Sequence, residues 1–293
     1  MKRSCLTLLL FLGTAQLFAQ SFFSATERGE LVLRALGNSF PGKISAIAFI
    51  ENDWTITAGG EVFFWAGGRL LPRAELGNRD SFGSYAFCPV PDRVTPPDSY
   101  SPQFIEGLRQ RTSDAARRER RDNHRGFHGI LYGGLTRQEV ERQIVSVTFL
   151  GRTVRVHRDI TRALERVEAA IRGQDGGPAF ISSLGNITGF SWRSIPGTQR
   201  MSYHSWGLAI DILPRNLGGK AIYWMWERGH NADWMLLPLE RRWSPPEAVI
   251  AAFEKEGFIW GGKWPMFDNM HFEYRPELHE LTRLLKAAEA RRP

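Results

Sequence analysis

Two short blocks in the second half of the chain must meet in space, and this requirement constrains the fold more than any other feature. The first block is Ser202-Tyr-His-Ser-Trp-Gly-Leu-Ala-Ile-Asp211, and the second is Asp268-Asn-Met-His-Phe-Glu273. Together they contain two imidazoles and two aspartate carboxylates but no cysteine, so a closed structural zinc site is not expected. Three nitrogen and oxygen ligands, with a fourth position left for water, are typical of a catalytic zinc site. The candidate ligands are His204, Asp211 and His271.

The spacing within the first block predicts a turn followed by a strand. Residues 208–212 have the short apolar pattern of a buried strand, and Gly207 allows the chain to turn tightly just before it. Such a reversal brings His204 back beside Asp211, although several positions separate them in the sequence.

The second block predicts another strand, over residues 270–274. Alternate side chains of a strand point to the same face, so His271 and Glu273 are expected to lie together. Glu273 is then placed either to orient the imidazole of His271 or to pair with Arg275. Asp268 lies in the loop that leads into this strand, where its carboxylate can approach a metal-bound water without binding the metal.

These motifs resemble the LAS-type zinc peptidases of bacterial cell walls. The resemblance rests on Ser-x-His-x-x-Gly-x-Ala-x-Asp and on the later Trp260-Gly-Gly-Lys-Trp-Pro-Met-Phe-Asp-Asn-Met-His-Phe-Glu273, and it covers residues 144–285. The family contains D-alanyl-D-alanine carboxypeptidases and dipeptidases and L-alanyl-D-glutamate endopeptidases, and it shares its fold with the Hedgehog signalling domain. The second block is most similar to the endopeptidase branch.

The resemblance implies a role for each residue of the site. One zinc ion per chain would be bound by His204, Asp211 and His271. Asp268 would be the general base, for which an ordinary turn residue is the alternative. The segment Phe190-Ser-Trp-Arg-Ser194 matches the family's arginine segment, so Arg193 would stabilise the oxyanion, with a surface salt bridge as the alternative. Ser202 would contact the substrate or, alternatively, cap a turn.

The chain departs from the family pattern between the two blocks. Nearly 50 residues separate Asp211 from Trp260, and within them residues 222–243 are rich in tryptophan. These aromatic side chains are expected to form a small core, and a wall over the substrate cleft is the alternative. The arginine segment is also compressed, because Pro196 and Gly197 follow Arg193 closely.

The first 20 residues have the pattern of a secretory signal peptide. Lys2 and Arg3 precede an apolar run over residues 6–18, and a small residue, Ala19, follows it. The run is shorter than the ~20 residues that span a bilayer, and no later segment reaches that length. We therefore expect export to the periplasm, the cell envelope or the medium, with a retained amino-terminal anchor as the alternative.

Composition limits what the exported chain can bind. Loss of Lys2 and Arg3 leaves 36 basic and 31 acidic residues, a net charge of +5. This modest charge suits an anionic cell envelope, and export argues against a nucleic acid partner. Only Cys88 would remain, so no intramolecular disulfide is possible and packing must supply the stability.

The order of patterned segments predicts an α+β fold. A Hedgehog/DD-peptidase-like antiparallel sheet with flanking helices is expected over residues 144–293, with a hairpin that turns at Gly151-Arg152 and helices over residues 160–171 and 246–256. Residues 21–100 are expected to form an amino-terminal α+β extension packed onto the peptidase segment or, alternatively, a small α+β module of their own.

Three further predictions concern the part of the chain before the peptidase segment. A helix is expected over residues 26–36, and two strands are expected to meet at the turn Ala58-Gly-Gly60. Residues 89–102 are rich in proline and form the candidate linker. Residues 101–143 form a charged helical connector, whose charge run over residues 109–125 is a solvated face or, alternatively, a contact with anionic wall polymer.

The sequence thus predicts an exported zinc metallopeptidase that hydrolyses peptide bonds in peptidoglycan stem peptides. Both a D-alanyl-D-alanine carboxypeptidase and an L-alanyl-D-glutamate-type endopeptidase agree with the motifs. The alternative is a non-catalytic, zinc-containing module of Hedgehog-like fold that binds the cell wall or signals. The carboxylate of Asp268 favours the enzyme, because a purely structural zinc site needs no base.

Overall fold

The fold was obtained as a computed structural model, which describes residues 23–291. The described chain mixes helices with two four-stranded antiparallel sheets and a two-stranded hairpin, which confirms the predicted α+β class. The predicted signal peptide, residues 1–20, lies outside the described residues. Within residues 23–291, no helix combines the length and the apolar character needed to cross a membrane.

Helices and short strands are distributed along the whole described chain. The helices are α1 (Ala25–Ser39), α2 (Pro102–Thr112), α3 (Asp114–Arg118), α4 (Gly126–Tyr132), α5 (Arg137–Glu141), α6 (Thr161–Gly173), α7 (Gly177–Ser183), α8 (Trp224–Arg228), α9 (Glu247–Lys255) and α10 (Pro276–Glu289). The strands are β1 (Ile44–Ile50), β2 (Asp53–Ala58), β3 (Glu61–Phe64), β4 (Leu71–Pro72), β5 (Ile144–Phe149), β6 (Arg152–His157), β7 (Leu184–Thr188), β8 (Ala209–Pro214), β9 (Phe258–Trp260) and β10 (His271–Tyr274).

The first sheet has the order β1-β2-β3-β4. Gly59 and Gly60 both have positive φ and join β2 to β3, as the predicted hairpin requires. Helix α1 begins with a capping box between Ser24 and Glu27, and its buried face, which includes Leu33, packs between this sheet and α10. The predicted helix and strands of this region are confirmed.

The second sheet has the order β7-β8-β10-β9 and carries both blocks of the metal motif. Strand β10 lies between β8 and β9, and His271 is the cross-strand partner of Asp211. On its other face, the ring of Phe272 stacks on Phe253 of α9 at 3.9 Å between centroids. The sheet is therefore anchored to its helices on one face, which leaves the opposite face for the site.

The hairpin β5–β6 differs slightly from its prediction. The expected turn was Gly151-Arg152, but the turn residues are Leu150 and Gly151, with φ of 48° and 77°, and Phe149 pairs with Arg152. A two-residue turn of this kind needs positive φ at both positions. Leu150 adopts it because its side chain is fully buried and its amide donates to Glu168 at 3.0 Å.

The proline-rich segment, predicted as a linker, packs along the last helix. The Val90 amide donates to the Thr282 hydroxyl at 2.8 Å, and Lys286 pairs with Asp92 at 2.9 Å. The charge run over residues 109–125 includes the end of α2, the whole of α3 and the loop that follows. Most of its arginines are exposed, as the predicted solvated face requires. Arg117 is the exception, with only 7% of its surface exposed.

Buried side chains form two clusters. The larger contains residues of both four-stranded sheets and of the helices that flank them, so no layer of water separates the sheets. The smaller cluster lies under the tryptophan-rich insert, and the predicted core role is confirmed for Trp224 and Trp234, whereas Tyr223 is partly buried and Trp226 is exposed. The buried members of the smaller cluster are Leu108, Trp224, Trp234, Met235, Leu237 and Phe267.

Candidate metal centre

A tight turn holds His204 in the centre of the site. His204 lies on a 3-10 helix, Tyr203–Trp206, that ends at Gly207 with φ of 66°. A Cβ at Gly207 would lie 2.6 Å from the backbone nitrogen of His157, so only glycine fits this position. The Nδ1 of His204 donates to the Gly189 carbonyl at 2.6 Å, which leaves Nε2 with a free lone pair.

Strand pairing fixes the other two candidate ligands. Asp211 on β8 and His271 on β10 are opposite each other, and Asp211 Oδ1 lies 2.8 Å from His271 Nδ1. The same oxygen lies 3.1 Å from His204 Nε2. The three ligand atoms lie within 4.8 Å of one another, and within residues 23–291 they form the only such group of histidine, cysteine and acidic side chains.

The close contact between these side chains shifts the pKa values of Asp211 and His271 away from their ordinary values. Burial alone would raise the pKa of Asp211, but the two imidazoles hold it well below the usual range. Burial alone would lower the pKa of His271, but Asp211 and Glu273 raise it well above its ordinary value. The centre is therefore negative enough to attract positive charge, and a cation that binds there would displace a proton from His271.

Two buried atoms at this centre have no hydrogen-bond partner among the described residues. They are His204 Nε2, which approaches Asp211 without hydrogen-bond geometry, and Asp268 Oδ1. Such atoms are costly to bury unpaired, and a cation with a water molecule would satisfy both. Because the donor set is two imidazoles and a carboxylate, the residues fit a zinc ion.

Glu273 orients His271 and pairs with Arg275 at the same time, so both of its predicted roles are observed. Its Oε2 lies 3.3 Å from His271 Nε2, and its Oε1 accepts from Arg275 at 3.0 Å. Arg275 is 5% exposed and also donates to Glu277 and to the carbonyl of Ala86. A carboxylate on the far nitrogen fixes the ring orientation and directs Nδ1 toward the centre.

Asp268 stands next to the ligand group without belonging to it. Its amide donates to the Gly261 carbonyl at 3.0 Å, and its own carbonyl accepts from the amide of His271 at 3.1 Å. Burial, together with repulsion by nearby carboxylates such as Asp211, raises the pKa of Asp268 to about 7, although His271 and Arg193 lower it. This carboxyl group can therefore gain or lose a proton near neutral pH.

Arg193 and Ser202 lie at the edge of the site. The hydroxyl of Ser205 accepts from the Arg193 amide at 3.0 Å and donates to the Arg193 carbonyl at 2.8 Å, which fixes the main chain below an exposed guanidinium. The charge of Arg193 acts on Asp268. Ser202 is buried, and its hydroxyl accepts from the His204 amide at 3.3 Å, so it caps the turn, as its alternative interpretation states.

The insert contacts the site in a way that the sequence did not reveal. Tyr223 and Asp268 form an isolated antiparallel bridge, flanked by hydrogen bonds from Asn269 to Ile222 and from Trp224 to the carbonyl of the residue before Asp268. Backbone pairing between distant segments leaves no local pattern in a sequence. Tyr223 was therefore missed, as were the Gly189 carbonyl and Ser205.

Comparison with known proteins gives two family matches. A family model described as D-alanyl-D-alanine carboxypeptidase matches residues 196–274, and one described as a domain of unknown function matches residues 32–87. No curated protein and no solved structure gives a significant match. The first match contains His204, Asp211, Asp268 and His271, whereas Arg193 lies just before it. Residues 196–274 therefore carry the pattern of the D-alanyl-D-alanine carboxypeptidase family, and the resemblance predicted from the sequence is confirmed over this segment.

Proposed function

We propose that this protein is an exported zinc peptidase that hydrolyses peptide bonds in peptidoglycan stem peptides. The observation that carries the proposal is the unpaired carboxyl group of Asp268 beside three clustered ligand atoms. A site built only to hold an ion for stability gains nothing from a second buried acid whose oxygen has no partner among the described residues. The family match supports peptidase chemistry.

We propose further that the second sheet and its helices form a Hedgehog/DD-peptidase-like fold. Strands β8 and β10 lie side by side in one antiparallel sheet and carry Asp211 and His271. His204 reaches the same face from the turn before β8, so both blocks of the resemblance converge on one point. The match to residues 196–274 supports this assignment.

The proposed mechanism divides the work among the residues of the site. His204, Asp211 and His271 would hold a zinc ion, which would supply Lewis acid chemistry that makes water more acidic and polarises a carbonyl. Asp268 accepts the proton of the attacking water and returns it to the leaving amine. Arg193 donates to the oxygen that becomes negative during attack.

The signal-peptide pattern and the net charge of the mature chain support the proposed location and substrate. A signal peptide over residues 1–20 directs export, and a net charge of +5 after its removal favours an anionic envelope. Peptidoglycan stem peptides contain the alanyl bonds that enzymes of the resembling family cleave. A carboxypeptidase and an endopeptidase are both consistent with the exposed position of Arg193.

The test is digestion of purified peptidoglycan by the mature protein with one equivalent of zinc. We expect new muropeptide fragments, whose masses identify the severed bond, and we expect a chelator to abolish them and added zinc to restore them. The Asp211→Ala variant, which loses a ligand, is the matched control. If the zinc-loaded protein binds peptidoglycan but releases no fragment, the non-catalytic alternative is correct.

A further inference from the structure

The tryptophan-rich insert places one side chain directly beside the proposed base. Tyr223 and Asp268 are partners in an antiparallel bridge, and their neighbours donate across it from Asn269 to Ile222 at 2.8 Å and from Trp224 to Phe267 at 2.9 Å. Residues opposite each other in such a pair project to the same face, with Cβ atoms about 5 Å apart. The ring of Tyr223 therefore lies on the face that carries the carboxyl group of Asp268.

The hydroxyl of Tyr223 lies among four charged groups. Burial and the charge of Asp268 raise the pKa of Tyr223 to about 12, with a smaller contribution from Asp211, and Arg117 and Arg193 oppose this rise. The phenol is thus protonated at neutral pH and is a hydrogen-bond donor. It donates to the sulfur of Met225 at 3.9 Å, a weak bond that a ligand oxygen would replace.

Arg117 is a buried cation without an acidic partner. It is 7% exposed, its guanidinium lies 5.0 Å from the ring centroid of Trp224, and it donates to the carbonyl of Pro196. Within residues 23–291 no carboxylate forms a salt bridge with it, and its sequence neighbour Asp114 pairs with Arg228 instead. A buried charge left unpaired in this way is unfavourable, and a carboxylate from a ligand would relieve the cost.

We propose that Arg117 and Tyr223 form a subsite that binds a carboxylate of the substrate beside the scissile bond. The inference deepens the proposed peptidase function and rests on it. A guanidinium presents paired donors that match a carboxylate, and the phenol adds a third donor. Trp226 is 55% exposed and contacts the Tyr223 ring edge-on at 5.7 Å, so it forms the rim of the subsite. The ligand class is an acidic peptide with a free, non-amidated carboxylate.

The subsite gives the connector a role in recognition. Arg117 comes from α3, Tyr223 from the insert, and Pro196 from the loop that follows Arg193, so three separate segments meet at one point. Further ion pairs, Arg109 with Asp233 and Arg228 with Asp114, hold the connector against the insert. The recognition surface is therefore built largely from parts of the chain outside the two metal motifs.

Equilibrium binding to the Asp268→Asn protein tests the subsite apart from turnover. Titration calorimetry would use two pairs of synthetic stem peptides. In one pair the α-carboxylate of D-glutamate is free or amidated, and in the other the terminal D-alanine carboxylate is free or amidated. We expect one pair to show about 10- to 100-fold tighter binding of the free acid. That pair identifies the carboxylate that the subsite binds.

Variants in the same background assign the preference to the two residues. Arg117→Gln is expected to abolish the preference for the free acid, Tyr223→Phe to reduce it several-fold, and Arg117→Lys to retain part of it. Arg118→Gln, a change at the exposed neighbour, is the control and should leave the preference intact. Should Arg117→Gln fail to fold, Tyr223→Phe carries the test, since it removes a single oxygen.

The outcomes separate this inference from the proposed function. Equal binding of acid and amide in both pairs, or an unchanged preference in Arg117→Gln and Tyr223→Phe, overturns the subsite even if the wild-type protein cleaves peptidoglycan. A preference that depends on Arg117 and Tyr223 establishes the subsite even if the wild-type protein cleaves nothing. In that second case the peptidase proposal alone is rejected.

Discussion

The side chain of Asp268 concentrates the chemistry of the site in a single titrating group. It lies beside the metal ligands, has a buried oxygen without a partner, and is flanked by the cationic side chain of Arg193 and the phenol of Tyr223. A carboxyl group in these surroundings can move a proton at neutral pH, whereas Asp211, which the imidazoles hold ionised, cannot.

Replacing the base should separate metal binding from turnover. We expect Asp268→Asn to bind zinc as the wild-type protein does, because residue 268 is outside the ligand group. Hydrolysis should fall by about 100- to 10,000-fold, because the proton acceptor is lost. Zinc content and muropeptide release, measured on the same preparation, check both parts, and near-normal hydrolysis would show that another group is the base.

The raised pKa of Asp268 also predicts how stability depends on pH in the metal-free protein. A carboxyl group whose pKa rises on folding, here to about 7, binds its proton more tightly in the folded state. Its contribution therefore favours folding below pH 4 and is lost as the pH rises through 7. Asp268→Asn cannot ionise, so it should exceed the wild-type protein in stability at pH 8 by on the order of a few kcal/mol.

Urea denaturation of both metal-free proteins at several pH values is the measurement. The difference between them should shrink steadily from pH 8 toward pH 4. A difference that stays constant over this range would mean that Asp268 does not titrate there. Bound zinc should shift the transition to lower pH, since a nearby cation favours the carboxylate.

Among the elements, the turn between His204 and β8 is the most constrained. Gly207 combines a positive φ with backbone contact to the strand β6, and its carbonyl accepts from the His157 amide at 2.9 Å. The turn therefore positions the candidate ligand His204 because the start of β8 packs closely on the end of β6.

Alanine at this turn should weaken zinc binding as well as the fold. A Cβ at Gly207 would lie 2.6 Å from a backbone nitrogen, so the turn and His204 must shift. Gly151→Ala is the matched control, because Gly151 also has a positive φ but has open space around it, and it should cost only about 1–2 kcal/mol. Thermal melting and competition with a chromophoric chelator measure the two effects. Equal losses in both variants would mean that the close contact is unimportant.

Local patterns predicted many of these elements, because each has a cause within a few residues. The capping box at Thr136, the glycine turn of β2–β3 and the apolar stripe of α6 are all visible in the sequence and all observed. The strand alternation that placed His271 and Glu273 on one face is likewise confirmed.

Contacts between distant segments had no such signal. The bridge of Tyr223 to Asp268, the burial of Arg117 and the donation from Arg275 to the Ala86 carbonyl each join parts of the chain that are remote in sequence. The turn of β5–β6 was misplaced by one residue because tertiary burial of Leu150 decided it. Sequence patterns therefore predicted the candidate ligands that the fold brings together, but not the side chains that surround them.

At the scale of the whole molecule, one hydrophobic core connects the amino-terminal sheet to the sheet that carries the candidate metal ligands. Helix α1 packs on α10, and the carbonyl of Ala86 accepts from Arg275, whose partner Glu273 orients a metal ligand. The segment matched by a domain of unknown function thus contributes packing and one hydrogen bond to the surroundings of the site.

A shared core predicts that the two sheets unfold together. Leu33→Ala in α1 and Leu281→Ala in α10 remove fully buried side chains, and each should cost about 2–5 kcal/mol. Both should lower one cooperative transition seen alike by tryptophan fluorescence and circular dichroism. Arg34→Ala, at an exposed position of α1, should change stability by less than about 0.5 kcal/mol. Two separate transitions in either leucine variant would show that the sheets are independent.

The pairing of β8 with β10 has a consequence for how the protein acquires its ion. Asp211 and His271 are held opposite each other by the backbone pairing of the sheet, whose hydrogen bonds do not involve the candidate ligand atoms. Because the fold itself brings the candidate ligands together, binding of a metal ion would cost little conformational entropy. If the protein binds zinc as proposed, its fold can form first and the ion can then enter a site that is already assembled.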